Sequence, residues 1–313
     1  MDWKNSRIDA LLEQALVEDK AASDATTNLT IDPGLRATAT ILARQELIVA
    51  GLGAIPRIFE IFARISNKLD KSAQQTRYEV ISHPEIFDGV RARDNQSLAV
   101  IRHNARALLS CERVILNLMQ RMSGIATLTR RYADELAGTK AHVLDTRKTV
   151  PGLRALDKYS VLCGGGTNHR LDLSDGILIK NNHISLGGGV RQTLTRALAG
   201  RKPGQRVQIE VRTPKELEDA LQYGAEALLL DNMTPDQVRT SVERIRQAEA
   251  ERETANPTPP GQKKPWIPVE ASGNIVLENI RSYALAGVDF ISVGALTHSP
   301  KAADISMRIS ADA

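Results

Sequence analysis

Residues 144–183 read LDTRKTVPGLRALDKYSVLCGGGTNHRLDLSDGILIKNNH. Within this stretch Arg147, Lys148, Arg154, Lys158, His169, Arg170, Lys180 and His183 gather around two apolar, strand-like runs and a glycine triplet. A solvated face scatters its cations among carboxylates. Here several cations directly follow short hydrophobic runs, where a strand ends and a loop opens. In parallel α/β proteins that edge is where ligands bind. A cluster of donors there argues for a substrate carrying several negative charges.

Working outward, six short apolar runs follow one another from His142: HVLDT, GILIK, VQIEV, ALLLD, IPVEAS and FISVG. Continuous apolar runs are the signature of parallel strands buried on both faces, and helical tracts fill most of the gaps between them. Six such units suit a barrel, or an incomplete one, better than an open sheet. The polar, proline-rich segment ERETANPTPPGQKKP (residues 251–265) reads as a surface loop or insertion.

The first half has another grammar. Ile8, Leu11, Leu12, Ala15 and Leu16 repeat at helical spacing, and residues 37–51 alternate and then run apolar as a strand. AIPRIFEIFARI is expected as helix, TRYEVIS and QSLAVIRHNA as strands. A long helix follows from about Ala105 to Leu136, burying Leu108, Val114, Ile115, Leu118, Met119, Met122, Ile125 and Ala126. Strands of one kind followed by helix suggest an α+β sandwich.

Composition removes several function classes. Hydrophobic content of 42% and charged content of 25% are those of an ordinary globular protein, and 313 residues suffice for one or two domains. A net charge of +4, with 4% aromatics and no basic run interleaved with rings, argues against nucleic acid as a partner. Without an apolar signal core or a long apolar run, the chain is expected to be cytoplasmic and to have no membrane partner. Cys111 and Cys163 form no CxxC pair, so a zinc site or disulfide framework is not expected. Cys163 reads as a packing residue rather than a nucleophile.

The strand ends carry three chemical groups. Arg147, Lys148, His169, Arg170 and Lys180 can neutralise carboxylates or phosphates, the arginines in bidentate fashion. Glu210 and Asp231 could hold a hard cation such as Mg²⁺ beside a phosphate. Ser272-Gly273-Asn274 and Gly294-Ala295 set small residues before a helix, where backbone N–H groups can approach a phosphate. Singly, each has a bland reading: a solvated loop cation, a helix cap, a turn glycine, a hydrogen-bonded structural histidine. Recurrence at successive strand ends favours the site. Together the groups imply an anionic phosphosugar donor with an anionic acceptor.

DTRKTVPGLRALDKYSVLCGGGTNHRLDLSDGILIKNNHI closely resembles the quinolinate phosphoribosyltransferase family. So do EDKAASDATT, ARQELIVAGL, CERVILNLMQRMSGIAT, ALLLDNM, VEASGNI and ISVGALTHS, in the same order along nearly the whole chain. The resemblance implies an N-terminal α/β sandwich domain with the long helix (1–135) and an incomplete parallel α/β barrel (136–313), the C-terminal segment being free to return to the first domain. It implies quinolinate binding by Arg147, His169, Arg170 and Lys180, and phosphoribosyl pyrophosphate contacts from Lys148 and Lys180. Glu210 and Asp231 would serve Mg²⁺ and the ribose hydroxyls. Ser272, Gly273 and Gly294 would serve the 5′-phosphate. Arg113 in CERVILN resembles an arginine that reaches into a neighbouring subunit's site, implying a homodimer or higher homo-oligomer with shared sites. The implied reaction gives nicotinate mononucleotide, pyrophosphate and CO₂, a step of de novo NAD synthesis.

Two departures stand out. Asn181 occupies a position where many relatives carry Asp, and Asn274 replaces a second glycine, a mild change because Asn tolerates left-handed backbone. Three rival readings exist. A molybdenum-locus relative of the same fold (the ModD type), with a different anionic substrate, would not be expected to keep Lys180. Nicotinate phosphoribosyltransferase uses a monocarboxylate, which needs fewer cations. A non-catalytic anion-binding scaffold would not need Glu210 and Asp231 beside the cations.

Overall fold

The computed structural model describes residues 1–69, 78–259, 261 and 264–312. Thr76 and Arg77 of the expected strand TRYEVIS lie outside the described residues, as do Pro260, Gln262 and Lys263 of the expected loop. The chain forms two compact units.

The first unit contains β1 (Arg36–Ala43), β2 (Leu47–Ile48), β3 (Glu79–Ile81), β4 (Arg91–Ala92) and β5 (Ser97–Asn104). The expected strand over 37–51 breaks after Ala43, because the polar Arg44-Gln45-Glu46 turn separates β1 from β2. The amphipathic opening helix is Ser6–Glu18. Asn5 caps it by accepting the Arg7 N–H, and Ile8, Leu12 and Leu16 are buried. A full burial of one such leucine contributes roughly 1.5–3 kcal/mol. The long helix runs Ala105–Glu135, and all eight of its expected core residues are buried.

The second unit is built on six parallel strands: β6 (His142–Leu144), β7 (Ile177–Ile179), β8 (Val207–Val211), β9 (Ala227–Asp231), β10 (Val269–Ser272) and β11 (Phe290–Ser292). Their order across the sheet is β6-β11-β10-β9-β8-β7. The outermost strands β6 and β7 are not neighbours in that order, so the barrel is incomplete. A single parallel bridge, Leu144 to Thr167, extends the sheet beyond β6. Parallel pairing throughout puts all six C-terminal ends on one edge. Strand interiors such as Ile209, Leu228, Leu230, Ala271 and Ile291 are fully buried, as their apolar runs require.

A single cut at residue 135 does not describe the chain. Residues 149–165, which include the helix Arg154–Cys163, belong to the first unit; residues 296–313 also return to it, as the resemblance allowed. The last strand, β12 (Ile305–Ala311), pairs antiparallel with β1 and completes a four-stranded sheet of order β12-β1-β5-β3. The expected loop at 251–265 is also shorter. The helix Pro235–Ala255, capped at Thr234 and rich in helix-forming Glu, Arg and Ala, carries residues 251–255.

Candidate active site

Across the sheet, the strand ends deliver their side chains in a fixed spatial order. Arg147 and Lys148 follow β6, Gly294 follows β11, and Ser272-Gly273 ends β10. Asp231 ends β9, Glu210 lies in β8 and Lys180 follows β7. Cations thus occupy the two outer strands, and carboxylates and small residues the middle. All the expected site residues belong to the second unit except Arg113, which lies in the first.

At one end of this row, beyond β6, His169 and Arg170 stand on the stretch that bridges to Leu144. The His169 N–H donates to Asp145 Oδ1 at 2.9 Å, and Asp145 is fully buried. Arg170 is half-buried. Burial, and then the nearby Arg147 guanidinium, push its pKa below the ordinary arginine value. Arg147 Nε is buried with no hydrogen-bond partner among the described residues. A buried donor left in that state costs about 1–3 kcal/mol, which an incoming acceptor would recover. Two adjacent guanidiniums, one with an unpaired buried donor, have the chemistry to receive a carboxylate.

Toward the other end, Lys180, Glu210 and Asp231 interact. Burial, and then the charge of Asp231, raise the Glu210 pKa above 4.5, while the Asn181 N–H, Lys180 and Arg212 act against the rise. The Asn181 N–H reaches Glu210 Oε1 at 3.4 Å, so Asn181 supports this carboxylate through its backbone, which an Asp there would do equally. The Asn232 amide donates to Asp231 Oδ2 at 2.8 Å. No group of three or more metal-ligating His, Cys, Asp or Glu occurs among the described residues. Two such carboxylates could hold a hard cation only if water and phosphate oxygens supplied its remaining ligands.

Between these ends, Gly273 has φ +94°, and a Cβ there would stand 2.2 Å from Asn232 Oδ1 and 2.9 Å from Asn232 N. Only glycine fits this approach of the β9 and β10 loops. Asn274 takes φ +53°, left-handed as its tolerance predicts, and its amide donates to Asn232 Oδ1 at 3.2 Å. The expected helix after this turn is displaced: it begins only at Ile280, and a single helical turn, Ala295–His298, follows Gly294. Any phosphate cradle here is therefore a matter of loop N–H groups. Arg113 has its side chain 68% exposed, with Glu112 at 3.9 Å.

Two residues carry more of the geometry than their sequence context signals. Asp145 and Glu270 are acids inside the apolar runs HVLDT and IPVEAS, and both are buried. An acid set in an otherwise continuous strand run was the available signal.

The model of the quinolinate phosphoribosyl transferase N-terminal domain matches residues 24–123, and that of the C-terminal domain matches residues 125–308. The nicotinate-nucleotide pyrophosphorylase (carboxylating) of Mycobacterium leprae is 38% identical over 297 residues, covering 95% of each chain. Among solved structures, NadC from Streptococcus pyogenes superimposes with a TM-score of 0.84 at 32% identity over the full length of both chains. Nicotinate-nucleotide pyrophosphorylase from Ehrlichia chaffeensis does so with a TM-score of 0.81 at 34% identity, covering 99% of this chain and 100% of that one. With both domain models matched in order, and the cations and paired carboxylates on one sheet edge, the chain belongs to the quinolinate phosphoribosyltransferase family.

Proposed function

We propose that this chain transfers the phosphoribosyl group of phosphoribosyl pyrophosphate to quinolinate, giving nicotinate mononucleotide, pyrophosphate and CO₂, the step that feeds NAD synthesis. The observation that carries this reading is the unpartnered, buried Arg147 Nε beside Arg170, on the same sheet edge as the mutually repelling Glu210 and Asp231. A dicarboxylate suits the first pair and a pyrophosphorylated ribose the second.

In this reading Arg147 and Arg170 hold the quinolinate carboxylates so that the pyridine nitrogen faces C1 of the ribose. Lys148 and Lys180 offset the charge that grows on the departing pyrophosphate. The C1–oxygen bond breaks, its electron pair leaving with pyrophosphate, and the ring nitrogen donates its pair to C1. As CO₂ departs, the electron pair of its bond to the ring stays on C2, stabilised by the adjacent, now cationic nitrogen, and takes up a proton from solvent. Backbone N–H groups at Ser272, Gly273 and Gly294 receive the 5′-phosphate, and Glu210 and Asp231 orient the ribose hydroxyls. Those two carboxylates would also hold Mg²⁺, which when bound supplies further neutralisation of the pyrophosphate.

Arg113, exposed on the first unit, is suited to complete the site of a second copy, so the active form is proposed as a homodimer or larger. The free thiols of Cys111 and Cys163 fit a reducing compartment such as the cytoplasm. Among the described residues no helix is long and apolar enough to cross a membrane.

Purified protein with phosphoribosyl pyrophosphate, Mg²⁺ and either quinolinate or nicotinate tests the assignment. CO₂ and nicotinate mononucleotide are expected from quinolinate. Their absence, or equal turnover of nicotinate, would overturn it.

A further inference from the structure

His169 has both ring nitrogens engaged within the chain. Nδ1 accepts the Arg170 N–H at 2.8 Å, and Nε2 lies 3.3 Å from Glu270 Oε2. A neutral imidazole whose Nδ1 is an acceptor carries its proton on Nε2, so the ring donates to Glu270. Glu270 is itself buried on β10. Its Oε2 accepts from Gln208 Nε2 at 2.8 Å, and its Oε1 accepts from the Ser292 hydroxyl. Donors from β8 and β11 and from the His169 ring therefore converge on one carboxylate. Burial alone would raise its pKa; these donors, the His169 bond first among them, outweigh burial and hold it below the ordinary value.

We infer that Glu270 is a positioning residue that acts through the His169 ring, which serves as its strut. Glu270 fixes the Nε2–H tautomer and the plane of the ring. The ring, through Nδ1, fixes the Arg170 N–H, and with it the start of the side chain that meets Arg147. The Asp145 bond to the His169 N–H anchors the same turn from below. A strut of this kind acts on the acceptor half of the site and leaves the half built on Lys180, Glu210 and Asp231 alone.

The kinetic consequence rests on the proposed quinolinate reaction, whereas the tautomer does not, so two measurements separate the inference from that reading. First, imidazole ¹⁵N–¹H correlations on the full chain, with His169 assigned by the signal lost in His169→Asn, should show a bare Nδ1 and a protonated Nε2, with and without quinolinate. An Nδ1–H tautomer, or one that switches when quinolinate is added, overturns the inference, and this measurement needs no Glu270 variant to fold. Second, Glu270→Gln removes the charge and keeps the shape. It should raise KM for quinolinate about tenfold or more while leaving KM for phosphoribosyl pyrophosphate within about twofold. Equal rises in both constants, or an unchanged quinolinate KM, would count against positioning. If the native chain turned over no quinolinate at all, the proposed reaction would fail and the ring's tautomer would still decide the network.

Discussion

Glu210 and Asp231 sit on the neighbouring strands β8 and β9, and burial first, then the charge of Asp231, raise the pKa of Glu210. A raised folded-state pKa means that the protonated form favours the fold. That contribution is complete below the ordinary value of 4.5 and is lost as pH rises through the higher folded value. Glu210→Gln removes the repulsion. Its melting temperature should therefore exceed that of the native chain at neutral pH, with the difference vanishing at low pH. Activity should fall by about 10²–10³-fold, because the pair is proposed to serve the pyrophosphate end of the reaction. Thermal unfolding from acidic to neutral pH, together with turnover, checks both halves. A variant that is both less stable and fully active would contradict the assignment.

Arg147 should show the same trade between site and fold. Its buried Nε lacks a partner, so Arg147→Leu should leave the unliganded stability unchanged or slightly higher. The variant should lose roughly 10–100-fold in quinolinate affinity, as expected for removing hydrogen bonds to a charged group. Arg147→Lys should not rescue it, because an ammonium cannot reproduce the bidentate fork. Quinolinate-induced shifts in melting temperature report this directly. An equal shift in native and Leu variants would exclude Arg147 from the acceptor site.

The six barrel strands were legible because each is a short, mostly apolar run, and the long helix because its buried positions recur at helical spacing. Strand ends then named the cations and carboxylates without knowledge of contacts. Two features were not legible. β12, ISMRISA, alternates like any exposed edge strand, and only its register against β1 shows that it closes the first sheet. The inward engagement of His169 depends on Glu270 and Asp145, which lie far from it in sequence. Local pattern reports which residues reach the sheet edge, but long-range pairing decides which of their atoms remain available.

At Gly273 the backbone itself is the constraint. With φ +94° and Asn232 in the way of any Cβ, Gly273→Ala should destabilise the protein by about 1–3 kcal/mol and raise KM for phosphoribosyl pyrophosphate. Asn274→Gly, at φ +53°, should be far milder, since it relieves a left-handed residue while losing one exposed hydrogen bond. Urea unfolding and steady-state kinetics on the two variants test the contrast. Similar losses at both positions would show that the turn is not held by the Gly273–Asn232 approach.

Acid should weaken the first unit at His103. Its ring packs edge-on to Phe59 at 4.9 Å and against Tyr78 at 5.5 Å. Burial first, and then the charge of Arg36, push its pKa from 6.5 down to about 4. The unfolded chain therefore binds this proton more readily than the folded one. Stability contributed by the neutral ring is full above 6.5 and is lost as pH falls toward 4, by a few kcal/mol at most (on the order of 2–3). His103→Gln keeps a polar group but cannot take up the proton. It should be less stable than the native chain at pH 7, through lost ring packing, yet lose less stability on acidification. The difference between the two urea midpoints should accordingly narrow as pH drops from 7 to 4. A constant difference across that range would show that His103 charges without cost in the fold, and that the acid sensitivity of this unit lies with other groups.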